Sequence, residues 1–128
     1  MDHRQLARIL AAARVAIGAA FLVAPDLAGR RWIGAVAGDP RVKLAMRGLG
    51  ARDLAFGLGA LRALDRGEPV AGWLQLGAVG DLSDAASGVL AARRIGFVRA
   101  LGTVVTAGGA AATGLFLANH VDEDAPSV

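Results

Sequence analysis

The sequence contains no cysteine and no tyrosine, and it has only four phenylalanines and two tryptophans. Without cysteine the chain forms no disulfide bond, performs no thiol chemistry and offers no cysteine ligand to a metal. Scarce aromatic residues also disfavour nucleic-acid binding, because single-stranded nucleic acids stack their bases on aromatic side chains. The 14 Lys and Arg residues outnumber the 11 Asp and Glu residues, but they stand mostly singly between apolar runs. We therefore expect no nucleic-acid partner.

Motifs for common enzymatic chemistries are also lacking. The sequence contains no HExxH motif and no grouping of Ser, His and Asp that indicates an activated nucleophile. Its paired glycines at 57 and 59 and at 108 and 109 do not follow predicted strands, so they do not form a phosphate-binding loop. We expect a non-enzymatic protein with no catalytic residue, no metal site and no cofactor.

Long apolar segments are the main positive feature of the chain. Hydrophobic residues make up 55% of it, and a further 18 residues are glycine. The segments 6–24, 42–64, 70–92 and 97–119 are each close to the ~20 residues that cross ~30 Å of hydrocarbon as a helix. Pro, Gly, Asp and Arg occupy the breaks between them. The pattern predicts a single all-α domain, a four-helix transmembrane bundle of up-down-up-down topology, with an acidic tail over 120–128.

The four segments differ in the charges that they carry. The fourth has no charge between Ala100 and Ala118, and its only polar side chains are threonines that can bond to their own helix. A central Arg or Asp opposes insertion by ~2.5–3.5 kcal/mol, whereas one Leu or Val favours it by only ~0.3–0.6 kcal/mol. We therefore expect the fourth segment alone to insert by its own apolarity. The others carry Arg14 in the first segment, Arg47, Arg52 and Asp53 in the second, and Asp81 and Asp84 in the third.

Two other interpretations fit part of this pattern. A soluble four-helix bundle would place the charges in water, but its helices need a continuous polar face, for which the charges are too few. A secretory signal would consist of basic residues followed by an apolar run, as in the run 15–24. Pro25 directly after that run disfavours cleavage there, so we expect the first helix to be retained.

The basic residues of the connections predict the orientation, because cytoplasmic loops carry an excess of Lys and Arg. Seven such residues lie in or beside the first and third connections, and four lie on the other side. This difference predicts a multi-pass membrane protein whose first and third connections lie in the cytoplasm and whose termini both lie outside. The seven are Arg30, Arg31, Arg41, Lys43, Arg93, Arg94 and Arg99, and the four are Arg4, Arg8, Arg62 and Arg66.

The charges within the segments are predicted to lie at one level of the bundle. Short connections make successive helices antiparallel neighbours, so the midpoints of the first three spans share a depth. Three positive and three negative side chains lie near that depth, a balance that burial in a low dielectric requires. Arg14 is the natural donor, since its planar guanidinium can engage two carboxylates. This predicted layer, structural or ligand-binding, comprises Arg14, Arg47, Arg52, Asp53, Asp81 and Asp84.

Glycines flank the acidic residues at helical spacing. Residues three and four apart share one face of a helix, so the glycines and carboxylates of each segment form a stripe. Glycine lets a neighbouring helix approach closely, which would bring a partner within reach of each carboxylate. The stripes are Gly50, Asp53 and Gly57 in the second segment, and Gly77, Asp81, Asp84 and Gly88 in the third.

The predicted charge layer supports two hypotheses about function. In the first, it fixes the register of the helices in an accessory or scaffolding protein that contacts the lipid bilayer and a membrane-protein partner or a second copy of itself. In the alternative, it lines a polar cavity in a small carrier or ligand-binding protein, since intramembrane ionisable residues often mark a site. The equal number of positive and negative charges favours the accessory role.

Two stretches resemble known families. Arg14–Pro25 resembles the first helix of DoxX-like small membrane proteins. Arg47–Gly59, together with Asp81 and Asp84, resembles small bacterial four-span proteins catalogued as domain of unknown function 4267. The resemblance implies a four-helix fold in a bacterial cytoplasmic membrane and no established molecular activity. DoxX itself is associated with redox and sulfur-oxidation systems as an accessory subunit, and this chain departs from it in having no cysteine and no quinone-site signature.

Overall fold

The structure, a computed structural model, describes residues 2–122, and within that range the chain is helical with no strand. The predicted all-α class is therefore confirmed. The acidic tail predicted over 120–128 lies outside the described residues from position 123 onward. The helices are α1 (His3–Val23), α2 (Pro25–Ile33), α3 (Pro40–Arg66), α4 (Ala71–Ile95) and α5 (Phe97–His120), with a 3-10 segment, Gly34–Gly38, between α2 and α3.

Local chemistry explains where the long helices begin and end. The Asp2 carboxylate accepts a hydrogen bond of 2.7 Å from the Gln5 amide at the start of α1. Asp39 accepts one of 2.8 Å from the Arg41 amide at the start of α3, so both aspartates are N-caps. At the other end of α3, Gly67 adopts φ of 68°, a left-handed conformation that favours glycine.

The connection between α1 and α3 contains a helix, α2, that the sequence analysis did not predict. It begins with Pro25 at its first turn, where the missing amide of proline costs no hydrogen bond. Asp26 lies in the first turn and Arg30 and Arg31 in the last, the order of charges that the helix dipole favours. Its nine residues are too few to cross a bilayer, and it packs beside α1 and α5.

Successive long helices run antiparallel, and they pack most extensively as two pairs, α1 with α3 and α4 with α5. Within each pair, residues near the start of one helix face residues near the end of the other. Glycines occupy many of the closest positions, as expected where helix backbones approach one another. The facing residues include Gly18 with Gly50 and Ala11 with Gly57 in the first pair, and Gly88 with Thr103 and Gly114 with Leu74 in the second.

The two pairs pack tightly at the end of the molecule that holds the start of α1 and the α3–α4 connection. A cluster of buried apolar side chains that includes Ala7, Val70 and Leu117 fills this end. The Asp122 carboxylate accepts hydrogen bonds of 3.1 Å and 3.4 Å from the amides of Val70 and Ala71, so it caps the start of α4. Val121 and Asp122, which follow α5, therefore stabilise this end of the fold.

Two features of the side-chain distribution are unusual for a water-soluble bundle, although most other charged residues are exposed. Most buried apolar residues are alanines, and the aspartates at 53 and 81 are buried among them at 9% and 7% exposure. Large apolar side chains lie outside, and Leu90, Val23 and Val98 are 86%, 84% and 81% exposed. Soluble proteins seldom bury aspartate unless it is paired, and a large exposed apolar area on them marks a contact surface. The surface of these helices is therefore suited to an apolar surrounding.

Two helices, α1 and α5, are long and apolar enough to cross a membrane. The expectation that only the last segment is sufficiently apolar by itself was therefore wrong for the first. Its best 18-residue stretch tolerates its arginines because nearly all its other residues are Ala, Ile, Leu, Val or Phe. Within residues 2–122, α3 and α4 do not reach the same apolarity, since their mid-helix charges lower it.

Candidate functional site: a charge cluster beneath an open cleft

Side chains from α1, α3 and α4 meet in one hydrogen-bonded cluster. Arg14 of α1 engages Asp81 of α4 through both ends of its guanidinium, with Nη2 at 2.6 Å from Oδ2 and Nη1 at 3.1 Å from Oδ1. The same Nη1 donates to Oδ1 of Asp53 on α3 at 3.3 Å. One arginine therefore ties three helices together. The charge cluster, as we call it below, comprises Arg14, Arg52, Asp53, Asp81 and Asp84.

Arg52, like Arg14, contacts two aspartates of the cluster, Asp53 and Asp84. Its Nη2 and Nη1 lie 2.7 Å and 3.2 Å from the two oxygens of Asp84 on α4. Its Nε and Nη2 donate to Asp53 Oδ1 at 3.1 Å and 3.0 Å. Oδ1 of Asp53 thus accepts hydrogen bonds from both arginines. Bidentate, charge-assisted pairs of this kind are the strongest hydrogen bonds that side chains form.

Two glycines of α4 make room for the guanidinium groups. A Cβ atom at Gly77 would lie 3.0 Å from Nη2 of Arg14, and one at Gly80 would lie 3.1 Å from Cζ of Arg52. The predicted glycine stripe on α4 therefore places Gly77 against an arginine side chain rather than against a helix backbone. On α3, by contrast, Gly57 does meet a backbone, since its Cβ would lie 2.7 Å from the carbonyl oxygen of Ala11.

Five of the six predicted layer residues meet in the cluster, and Arg47 does not. Arg47 is exposed, and its Nε donates to the backbone carbonyl of Leu22 at 3.3 Å. Two arginines therefore face three aspartates, so the charges that sequence analysis counted as balanced leave one carboxylate in excess. The five side chains are only 10–23% exposed.

A cleft of about 520 Å³ opens between α1 and α5 directly over the cluster. Its volume is that of a small-molecule site. Apolar side chains of α1 and α5, including Ile17, Phe21, Val98 and Ala107, form the walls. At one end of the cleft lies Trp32 of α2, whose ring centroid is 5.8 Å from that of Phe21. The cleft therefore joins an apolar groove to a charged floor.

The contributions of α2 and α5 to this site were not predicted. Trp32 Nε1 donates a hydrogen bond of 2.6 Å to Oγ1 of Thr103, which in turn donates to the carbonyl of Arg99 at 2.9 Å. Sequence analysis predicted only the bond of the threonines to their own helix. The sequence does show a tryptophan in a connection and a threonine in a segment without charges. Nothing in it indicates that these two residues form a hydrogen bond with each other.

Comparison of the chain with protein-family models, with curated proteins and with solved structures finds no match. Within residues 2–122 no group of His, Asp or Glu side chains is arranged to hold a metal ion. The argument about function therefore depends on the cluster, the cleft and the surface of the helices.

Proposed function

We propose that the chain is a four-span protein of the bacterial cytoplasmic membrane in which α1, α3, α4 and α5 each cross the bilayer. The lengths of these helices, 21, 27, 25 and 24 residues, are sufficient to span ~30 Å of hydrocarbon. The burial of two aspartates together with the exposure of many leucines and valines is the observation that supports the proposal most directly. The resemblance of Arg14–Pro25 and Arg47–Gly59 to small membrane proteins favours the same fold.

The charge cluster supports the inclusion of α3 and α4 among the spans. Isolated charges would make insertion of these helices unfavourable. Pairing Arg52 with Asp53 and Asp84, and Arg14 with Asp53 and Asp81, lowers that cost. The helices would then insert and pack cooperatively.

Within this membrane fold, the geometry best supports binding of a small amphiphilic ligand in the cleft. The observation that supports this role is the opening of an apolar groove onto the charged floor, because ligand sites combine apolar walls with a few converging polar groups. This proposal takes up the alternative of a carrier or ligand-binding protein. The accessory or scaffolding role is the second candidate, favoured by the engagement of both cluster arginines by carboxylates. Neither role requires catalysis.

Cysteine labelling tests the four-span topology, because the absence of native cysteine leaves no background. Single cysteines would replace Gly38, Glu68 and Arg94, one in or beside each connection between long helices. With four spans and the predicted orientation, a membrane-impermeant maleimide labels Cys at 68 in intact cells. It labels positions 38 and 94 only after the membrane is permeabilised.

The same experiment distinguishes the alternatives. If only α1 and α5 cross the membrane, all three positions lie on one side and label together. If the chain is soluble, it appears in the supernatant after high-speed centrifugation. Either pattern contradicts the four-span proposal.

Filling the cleft tests the binding role. Ala107 lines the cleft on α5, whereas Ala112 on the same helix is exposed outside it. We expect Ala107→Phe to remove small molecules that co-purify with the protein in a neutral detergent, as measured by mass spectrometry of an organic extract. Ala112→Phe is the matched control and should retain them. The same extract from both variants and the unaltered protein would contradict binding in the cleft.

A further inference from the structure

The charge cluster presents more carboxylates than guanidinium groups to the cleft. Asp53, Asp81 and Asp84 line the cleft together with Arg14, whereas Arg52 does not line it. Three carboxylates and one guanidinium therefore form the floor. Even with Arg52 counted, the cluster carries one negative charge in excess, in surroundings where an uncompensated charge is costly.

Asp53 has an oxygen available to a ligand. Its Oδ1 accepts the hydrogen bonds from Arg14 and Arg52 described above. Across residues 2–122, Oδ2 of Asp53 accepts no hydrogen bond from another residue, although the side chain lines the cleft. Oδ2 therefore keeps the capacity to accept a hydrogen bond from, or to pair with a positive charge of, a molecule in the cleft.

The rest of the cleft is suited to an apolar body. Thr103, which holds Trp32, and Ala110 both line the cleft and lie seven positions apart on α5. At 1.5 Å per residue this stretch of the groove is about 10 Å long. The indole of Trp32 is fixed by its bond to Thr103 and closes this end with an aromatic surface.

From this complementarity, and on the premise that the proposed binding role is correct, we propose that the cleft binds an amphiphilic organic cation. Its single positive charge, an ammonium or phosphonium for example, would lie at Asp53 and neutralise the excess carboxylate. Its apolar body would occupy the groove between α1 and α5. Such a ligand would contact both the carboxylates and the apolar walls of the cleft, whereas a metal ion would contact the carboxylates alone.

An anionic amphiphile is the competing occupant, because Arg31 and Arg99 also line the cleft. Both arginines are exposed. Arg99 lies one helical turn farther from the cluster than Thr103. Solvent and salt therefore screen its charge more than they screen the charges of the buried carboxylates. An anion bound deeper in the groove would face three carboxylates. The buried charges therefore favour the cation.

Two ions of matched shape and opposite charge test the proposal: tetraphenylphosphonium and tetraphenylborate. The chain has only two tryptophans, and Trp73 does not line this cleft, so fluorescence of the Trp73→Phe protein in neutral detergent reports Trp32 alone. We expect tetraphenylphosphonium to change Trp32 fluorescence saturably. Asp53→Asn in this background should weaken that binding by about tenfold or more, as expected for loss of a desolvated charge partner.

Asp53→Asn is expected to fold, because it leaves two carboxylates for two guanidinium groups. Asp84→Asn removes the same excess charge and serves as a second variant, and Glu68→Gln on the surface is the control that should not change the affinity. Equal binding of tetraphenylphosphonium to the parent and both cluster variants would overturn the proposal. So would saturable binding of tetraphenylborate alone that is lost in Arg31→Gln/Arg99→Gln. In both cases the labelling pattern and the Ala107→Phe result remain separate tests of the membrane fold and the binding role.

Discussion

Replacing Arg14 by methionine is expected to destabilise the protein by about 3–5 kcal/mol, the cost of removing one partner from a buried ion pair. The substitution leaves Asp81 without either of its hydrogen bonds from Arg14 and leaves Asp53 with Arg52 alone. The three carboxylates of the cluster would then share the single guanidinium of Arg52. The measurement is the free energy of unfolding in mixed micelles of neutral detergent and dodecyl sulfate.

Arg8→Met provides a matched control on the same helix. Arg8 Nη1 lies 2.6 Å from Oδ1 of Asp65, as short as the closest contact of Arg14, but the side chains are 49% and 62% exposed. Exposed ion pairs contribute about 0–1 kcal/mol, so this variant should unfold almost as the parent does. In Arg14→Gln/Asp81→Asn, removal of both charges should restore part of the lost stability. Similar small losses for Arg8→Met and Arg14→Met would show that the cluster does not hold the helices together.

Replacing Gly18 by alanine is expected to destabilise the fold by about 1–3 kcal/mol, the usual range for overpacking. The added Cβ would lie 2.6 Å from the carbonyl oxygen of Gly50 and 2.6 Å from the amide nitrogen of Leu54. Both are backbone atoms, so α1 and α3 would have to move apart. That movement would also lengthen the contact between Arg14 and Asp53. The same unfolding measurement gives the effect, and cation binding in the cleft should weaken with it.

Gly48→Ala is the control with the opposite expected sign. A Cβ at Gly48 on α3 meets nothing within 4 Å, and the residue is helical and exposed. Alanine favours a helix over glycine by up to about 1 kcal/mol, so this variant should be slightly more stable than the parent. If Gly18→Ala and Gly48→Ala both stabilise the protein, the close approach of α1 and α3 is not a property of the folded state.

The sequence alone was sufficient to predict the helices and most members of the charge cluster. Apolar segments of about 20 residues and their breaks are local features, so the four long helices could be predicted to within a few residues of their ends. Arg14, Asp53 and Asp81 lie near the middle of three such segments, and antiparallel packing brings midpoints together. The spacing of Gly50, Asp53 and Gly57 also predicted that these three residues share one face of α3, because residues three and four apart lie on the same side of a helix.

The tertiary structure alone decided which charges meet and where space remains. Arg47 and Arg52 belong to the same helix, but only the rotation of α3 against α1 and α4 directs Arg52 to Asp84 and leaves Arg47 outside. This rotation produces the excess carboxylate. Residues of α1, α2 and α5 line the cleft together, and Trp32 bonds to Thr103, 71 residues along the chain. Helix period determines the face on which a residue lies, whereas the neighbour of that face and the gap beside it depend on the packing of all five helices.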